Sequence, residues 1–103
     1  LRWDGWLIGA SIGEPVAAVH DGQVIFSNYM RGFGLLIILN HGDGYMTLYA
    51  HNEELLKDTG DWVLSNETIA RAGDTGGLDN PALYFEIRKK GQPADPKKWL
   101  GKR

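Results

Sequence analysis

The sequence contains no cysteine, which excludes disulfide bonds, thiolate metal sites and a cysteine nucleophile. No apolar run approaches the ~18 residues that a membrane-spanning helix requires. The chain also lacks an excess of basic residues, because its formal net charge is -2. Nucleic-acid-binding domains usually carry a basic stripe, so we expect no nucleic-acid partner.

Glycine, by contrast, is abundant, with 14 glycines among the 103 residues. This share is roughly double the usual one and favours short strands joined by tight turns. A composition of 43% hydrophobic and 23% charged residues is typical of one small globular domain. We therefore expect residues 1–103 to form a single domain. Because the sequence begins abruptly at Leu1 within a stretch that reads as structured, we also expect a C-terminal fragment of a longer protein.

Alternating hydrophobicity and regularly spaced turn signals predict about seven or eight short strands. The dipeptide Asp21-Gly22 is a strong hairpin signal between two such strands. The segment Leu35 to Leu39 is almost continuously apolar, which predicts a strand covered on both faces. The segment Asn52 to Asp58 is the one passable helix candidate, of about two turns. The pattern as a whole predicts an all-β sandwich-like or barrel-like fold.

The stretch from Pro81 to Arg88 reads as a strand with two distinct faces. One set of its side chains is expected in the core: Leu83, Phe85 and Ile87. The other set combines an aromatic, an acid and a base and should line a functional surface: Ala82, Tyr84, Glu86 and Arg88. The strand Tyr45 to Ala50 alternates in the same way, and its alternation puts Tyr49 on one face with His51.

The residues taken alone indicate no assembled active site. His20 and His41 adjoin turns, and the chain has no His-x-His pair, so the usual ligand spacing of a catalytic zinc is missing. No Gly-x-Ser-x-Gly elbow positions a serine nucleophile. A carboxylate pair of Glu86 and Asp4 stays open as a weak signal for glycoside chemistry.

Several segments carry a resemblance to a known family: Gly13 to Val24, Gly32 to Gly34, His41 to Gly44, Thr47 to His51, Gly73 to Gly76, and Leu83 to Glu86. Together they resemble the LytM (lysostaphin-type) zinc endopeptidase domain of cell-wall enzymes. They cover nearly the whole chain in the order of that family. The resemblance implies the LytM-type antiparallel β-sandwich-like fold with a central groove.

The resemblance also implies where a zinc ion would have been held. Active members use a His-x-x-x-Asp segment and the second histidine of a His-x-His pair. The corresponding positions here are occupied by Trp3, Leu7 and Tyr84, while Ala82 replaces a catalytic histidine and His51 is retained. Tryptophan and leucine offer zinc no lone pair, and a neutral tyrosine is a poor ligand. We therefore expect no metal, no other cofactor and no peptide hydrolysis.

Degenerate LytM domains of this kind resemble those of Gram-negative division factors that activate periplasmic N-acetylmuramoyl-L-alanine amidases. The resemblance implies a non-enzymatic activator in septal peptidoglycan splitting, whose groove receives the amidase and whose coiled-coil region, absent from this sequence, supplies recruitment and autoinhibition. Two alternatives stay open: a non-catalytic module whose groove binds peptidoglycan, and a residual zinc endopeptidase. The predicted partner-binding residues are Asp4, Leu7, Phe33, Leu36, Tyr49, His51, Tyr84 and Arg88.

Overall fold

Nine antiparallel strands form the fold in the computed structural model, which describes residues 5–90 and 92–94. The strands are β1 (Trp6–Gly9), β2 (Pro15–Ala17), β3 (Gly22–Met30), β4 (Gly34–Gly42), β5 (Tyr45–Leu55), β6 (Trp62–Val63), β7 (Thr68–Ala72), β8 (Ala82–Lys89) and β9 (Gln92–Ala94). The all-β prediction is confirmed. Within the described part of the chain, no helix has the length and apolar character that crossing a membrane would require.

Six strands follow one another across the sheet in the order β1-β8-β5-β4-β3-β6. Strand β7 pairs with the end of β5 and with β2, and β9 pairs with β8. Side chains of β2 and β7 share the main core with the six-stranded path, so these two strands cover one of its faces. The main core consists of Val16, Ala18, Val24, Ile37, Leu39, Tyr49, Val63, Ile69, Ala70, Ala72, Phe85 and Ile87.

A second, smaller core lies on the opposite face of the central strands and consists of Leu36, Leu48, Ala50 and Tyr84. The apolar run in β4 serves both cores, since Ile37 and Leu39 belong to the main core and Leu36 to the second. The prediction that this strand is covered on both faces is therefore confirmed. Phe33 packs against the second core and brings the β3–β4 turn close to β8.

The predicted helix at Asn52 to Asp58 is wrong. Strand β5 continues to Leu55, where its residues pair with β7: Asn52 lies opposite Ala72, and Leu55 lies opposite Ala70. A helix of two turns is marginal on its own, because it must offset its nucleation cost with few hydrogen bonds. Pairing with β7 satisfies the same backbone groups and also covers the main core.

A hydrogen-bond chain links the partly buried residue His41 to the main core. His41 Nδ1 lies 2.7 Å from the Asp21 carbonyl oxygen, and Nε2 lies 2.6 Å from Thr47 Oγ1. Tyr49 joins Thr47 at 2.8 Å and accepts from Val19 N–H at 3.2 Å. A carbonyl can only accept, so Nδ1 carries the hydrogen. Burial favours the neutral imidazole, and in that form Nε2 accepts from Thr47 and Tyr49 donates to Thr47.

Stability is expected to fall as the pH drops from 7.5 to 5.5. Burial lowers the pKa of His41 below its ordinary value of 6.5, and the nearby His20 lowers it further by a smaller amount. The hydrogen bond to the Asp21 carbonyl and the charge of the Asp21 carboxylate oppose this shift, because both raise the pKa. The unfolded chain therefore binds a proton at His41 more readily than the folded chain does. The contribution of His41 to the free energy of unfolding is complete above the unfolded pKa and is lost as the pH falls through the folded pKa. Urea unfolding midpoints at the two pH values measure this loss.

Two variants separate His41 from the other titrating groups. His41→Gln should unfold earlier than the native chain but show a flatter dependence on pH. His20→Gln keeps the buried chain intact and removes only the smaller effect of His20 on the pKa of His41, so it should retain most of the native dependence. An equal pH dependence in the native chain and His41→Gln would contradict this assignment.

Candidate functional site

Strand β1 brings Leu7 to the side of Tyr84. The two residues lie directly opposite each other in the β1–β8 pair. Two positions further along the same pair of strands, Gly9 lies opposite Ala82. The Leu7 side chain is half exposed, whereas Tyr84 is only 4% exposed. Two positions that the LytM resemblance assigns to zinc ligands are therefore neighbours in space although they lie at opposite ends of the sequence.

His51 is held in a fixed orientation beside Tyr84. Its backbone has a φ of 69°, and its N–H donates to the Phe33 carbonyl oxygen at 2.7 Å. Its ring nitrogen Nδ1 lies 2.7 Å from the Thr75 carbonyl oxygen, and the ring centroid lies 6.5 Å from that of Tyr84. Because the carbonyl must accept, Nδ1–H is the donor in this contact.

A buried polar chain runs along β8 from Tyr84 to Arg88. The Tyr84 hydroxyl donates to Glu86 Oε2 at 2.5 Å, and Arg88 Nε donates to Glu86 Oε1. Glu86 is only 2% exposed, while the Arg88 side chain is 32% exposed. The three residues alternate along one face of the strand, so their side chains meet. Both carboxylate oxygens are therefore paired, one of them with a guanidinium.

The side chains at the zinc-ligand positions do not fit the zinc ion that the LytM resemblance implies. Leu7 has no lone pair, and the Tyr84 hydroxyl and the Glu86 carboxylate are bound to each other. Among the residues that the structure describes, no three histidine, cysteine, aspartate or glutamate side chains gather in a way that could hold a metal. Three protein ligands are the usual minimum for a catalytic zinc. The site is better suited to packing than to Lewis-acid chemistry.

A concave surface of about 370 Å³ adjoins the lost ligand positions, and we call it the β1 groove. The groove is lined by Leu7, Gly9, Leu78, Asp79, Asn80, Pro81 and Ala82. On β1, Leu7 is 50% exposed on the groove side, whereas Trp6 and Ile8, which are 37% and 41% exposed, alternate to the opposite face. A half-exposed apolar residue at the edge of a concavity marks a surface that a partner can cover.

The structure brings most of the predicted partner-binding residues together. Phe33 lies 6.1 Å from Tyr84 between ring centroids, and Leu36 packs with Tyr84 in the second core. Arg88 is connected to Tyr84 through the Glu86 carboxylate, which contacts both side chains. Leu36, His51 and Tyr84 are buried, so they support the surface from beneath rather than form its outer layer. Asp4, and with it the suggested carboxylate pair, lies outside the described residues.

Tyr49 does not share a face with His51, and that prediction is wrong. The Tyr49 ring packs on Phe85 in the main core, with centroids 5.4 Å apart, on the face opposite to Tyr84. Strict alternation fails near His51 because its positive φ and a register shift between Leu35 and Ile37, which lie opposite Asn52 and Tyr49, interrupt the extended pattern. Tyr49 is therefore a core residue that ends the hydrogen-bond chain from His41.

Sequence reasoning overlooked Thr75, which orients the retained histidine. Besides its carbonyl bond to His51, its hydroxyl donates to the Asn52 carbonyl oxygen at 2.6 Å and accepts from Leu35 N–H at 3.0 Å. These partners are distant in sequence, so no local pattern could have identified them. Glu86 carried a local signal, because it lies two residues from both Tyr84 and Arg88 on one strand face.

Comparison with known proteins gives a consistent result. A family model described as peptidase family M23 matches residues 2–96. The Escherichia coli K12 murein hydrolase activator EnvC is 45% identical over 102 residues, covering 99% of this chain and 24% of that protein. Murein hydrolase activator NlpD of the same strain is 39% identical over 97 residues, covering 93% of this chain and 25% of that protein. The chain spans about a quarter of the length of these relatives.

Among solved structures, the catalytic domain of the antimicrobial peptidase lysostaphin from Staphylococcus simulans is similar, with a TM-score of 0.89. It is 26% identical, and the match covers 98% of this chain and 80% of that one. A zinc-containing peptidase from Vibrio cholerae is 33% identical with a TM-score of 0.86, covering 89% of this chain and 28% of that one. The LytM-type fold is thus confirmed, and its members include proteins described as peptidases and others described as activators.

Proposed function

This chain belongs to peptidase family M23, and we propose that it is a non-catalytic activator of periplasmic N-acetylmuramoyl-L-alanine amidases in septal peptidoglycan splitting. The observation that carries the proposal is the pairing of Leu7 with Tyr84 at two positions where the family resemblance places zinc ligands. A leucine and a tyrosine committed to Glu86 cannot replace those ligands. The names of the relatives EnvC and NlpD support the activator role over a residual endopeptidase.

The β1 groove is the surface that we assign to the amidase. Leu7 presents an apolar side chain at its edge. Phe33 and Arg88 lie outside the groove lining but are partly exposed near the buried Tyr84. Aromatic and arginine side chains around an apolar centre are typical of interface hot spots. The groove therefore has the composition of a docking site, with the second core as its rigid support. A coiled-coil region of the full-length protein would control access to it.

Dye-labelled peptidoglycan and a periplasmic amidase test this function. The chain is expected to raise dye release by the amidase, and to release none alone. Leu7→Lys should reduce the stimulation by at least roughly tenfold, because an ammonium group replaces an apolar contact worth about 2 kcal/mol at an interface. Leu7 is half exposed, so the urea midpoint of this variant should stay close to that of the native chain.

Leu56→Lys is the matched control, because Leu56 is also partly exposed but belongs to the segment after β5. It should stimulate the amidase as the native chain does. Full stimulation by Leu7→Lys would exclude the β1 groove as the docking site. Failure of the native chain to stimulate any periplasmic amidase would exclude the activator function itself. Dye release by the chain alone, with stoichiometric bound zinc, would establish the endopeptidase instead.

A further inference from the structure

A second concave surface, of about 490 Å³, lies at the edge of the sheet opposite to the β1 groove, and we call it the β6 pocket. Its lining residues are His20, Asp21, Gly22, Gln23, Asn40, His41, Gly42, Trp62, Val63 and Leu64. Strands β1 and β6 are the two ends of the six-stranded path, so five strand spacings separate them. That distance is roughly 24 Å along the sheet. The two concavities are therefore separate sites.

An aromatic and two amide side chains form a row across the floor of the β6 pocket. Trp62 lies opposite Gln23 in the β6–β3 pair, and Gln23 lies opposite Asn40 in the β3–β4 pair. Register partners project to the same face, and here it is the outer face, because Val63 and Leu39 beside them point into the main core. Trp62 is 75% exposed, and Leu64 next to it is 68% exposed.

The two amides are held in place by the backbone. Gln23 Nε2 donates to the Gly60 carbonyl oxygen at 3.2 Å, and Asn40 Oδ1 accepts from Gly42 N–H at 3.1 Å. Each amide offers more donors and acceptors than these bonds use, namely the Nδ2 hydrogens of Asn40 and the carbonyl oxygen of Gln23. The pocket therefore combines a flat apolar ring with oriented, uncharged hydrogen-bonding groups.

The charges around the β6 pocket exclude some ligand classes. Of the residues that line it in the described part of the chain, none is a lysine or arginine, and Asp21 contributes a carboxylate. Phosphates and other anions are bound by arginine, lysine or helix N-termini, so an anionic ligand does not match this lining. A neutral, polar ligand with one apolar face does match it.

We propose that the β6 pocket binds the N-acetylglucosamine units of the peptidoglycan glycan strand, which are its uncharged N-acetylated sugars. A pyranose ring presents carbon-bound hydrogens on its face, which can stack on Trp62, and hydroxyl and acetamido groups at its rim, which Gln23 and Asn40 can bind. Aromatic side chains with a few convergent polar groups are the usual composition of a small-molecule site. The choice of this sugar polymer rests on the proposed function in peptidoglycan splitting.

A glycan site at this edge would leave the β1 groove open to the amidase. One domain could then hold the substrate and the hydrolase at the same time, on opposite edges of one rigid sheet. Holding both partners together raises their effective concentration without any new contact between them. This differs from a peptidoglycan-binding groove, in which glycan and amidase would compete for the same surface.

The test measures binding of the 103-residue chain to a tetramer of β-1,4-linked N-acetylglucosamine and to a longer soluble oligomer of the same uncharged sugar, without any amidase. The native chain should bind both. Trp62→Ala should bind both roughly tenfold more weakly, as expected for the loss of one aromatic stacking contact. Asn40→Ala, a second variant at an exposed position, should also bind more weakly. Tyr29→Ala removes an exposed aromatic far from the pocket and should bind as the native chain does.

Binding of an amidase, measured in parallel by co-elution, distinguishes this proposal from the proposed function. The proposal requires Trp62→Ala to retain amidase binding while losing glycan binding. No glycan binding by the native chain, or equal binding by Trp62→Ala, would overturn it. Loss of amidase binding in Trp62→Ala with glycan binding unchanged would overturn it in favour of a protein-docking site. A native chain that binds glycan but stimulates no amidase would contradict the proposed function alone.

Discussion

Replacing Arg88 by alanine should lower the free energy of unfolding by about 2 to 3 kcal/mol. The reason is Glu86, a carboxylate that is only 2% exposed and is paired on one oxygen with Arg88 and on the other with Tyr84. Removing the guanidinium leaves a buried anion without its counter-charge. The Arg88 side chain is 32% exposed, so water can partly replace it, and we expect a loss somewhat below the roughly 3 to 5 kcal/mol of fully buried pairs. Urea unfolding measures the change.

Arg71→Ala is the matched control. Arg71 Nε lies 3.7 Å from Glu54 Oε1, with both side chains well exposed, and such surface pairs contribute about 0 to 1 kcal/mol. A double variant, Glu86→Gln with Arg88→Ala, removes the charge that would be stranded and should unfold at a higher urea concentration than Arg88→Ala alone. If Arg88→Ala and Arg71→Ala cost the same, the Glu86 pair does not stabilise the fold in this way.

The same polar chain connects stability to the proposed function. Tyr84 lies opposite Leu7, so the groove edge is supported from beneath by a side chain whose hydroxyl is fixed by Glu86. Loss of Arg88 is therefore expected to weaken both folding and amidase stimulation. Leu7→Lys, in contrast, should affect stimulation alone. The two variants thus distinguish a supporting residue from a contacting one.

The sequence was sufficient for most of the fold because the informative patterns are local. The apolar run in β4 required cover on both faces, and Ile37 and Leu36 do lie in different cores. Alternation along β8 correctly separated Phe85 from Tyr84. Alternation could not show that the Tyr84 face is also buried, since Phe33 and the second core reach it from a distant turn.

The errors and omissions arose where long-range contacts override a local pattern. The end of β5 was predicted as a helix because its pairing with β7 has no local signal. The face of His51 was misassigned because a positive φ reverses the expected alternation, and nothing in the residue type announces it. The row formed by Trp62, Gln23 and Asn40 exists only through two strand pairings, so the sequence did not reveal it.

Gly34→Ala is expected to lower the free energy of unfolding by about 3 to 4 kcal/mol. Gly34 has a φ of 67°, and a Cβ atom there would lie within 2.5 Å of the Thr75 carbonyl carbon. The loop that carries Thr75 would have to move away from β4 and β5. That movement would break the Thr75 hydroxyl bonds to Leu35 and Asn52 and the carbonyl bond that orients His51.

Gly32→Ala separates crowding from backbone strain. Gly32 also has a positive φ, 88°, but a Cβ atom there would meet nothing within 4 Å. We therefore expect it to cost only the strain of the left-handed conformation, about 1 to 2 kcal/mol. Thermal or urea unfolding of the two variants gives the difference, which measures how tightly the Thr75 loop is packed on the β3–β4 turn. Equal losses in the two variants would mean that the loop can move without cost, and that His51 is not held rigidly beside Tyr84.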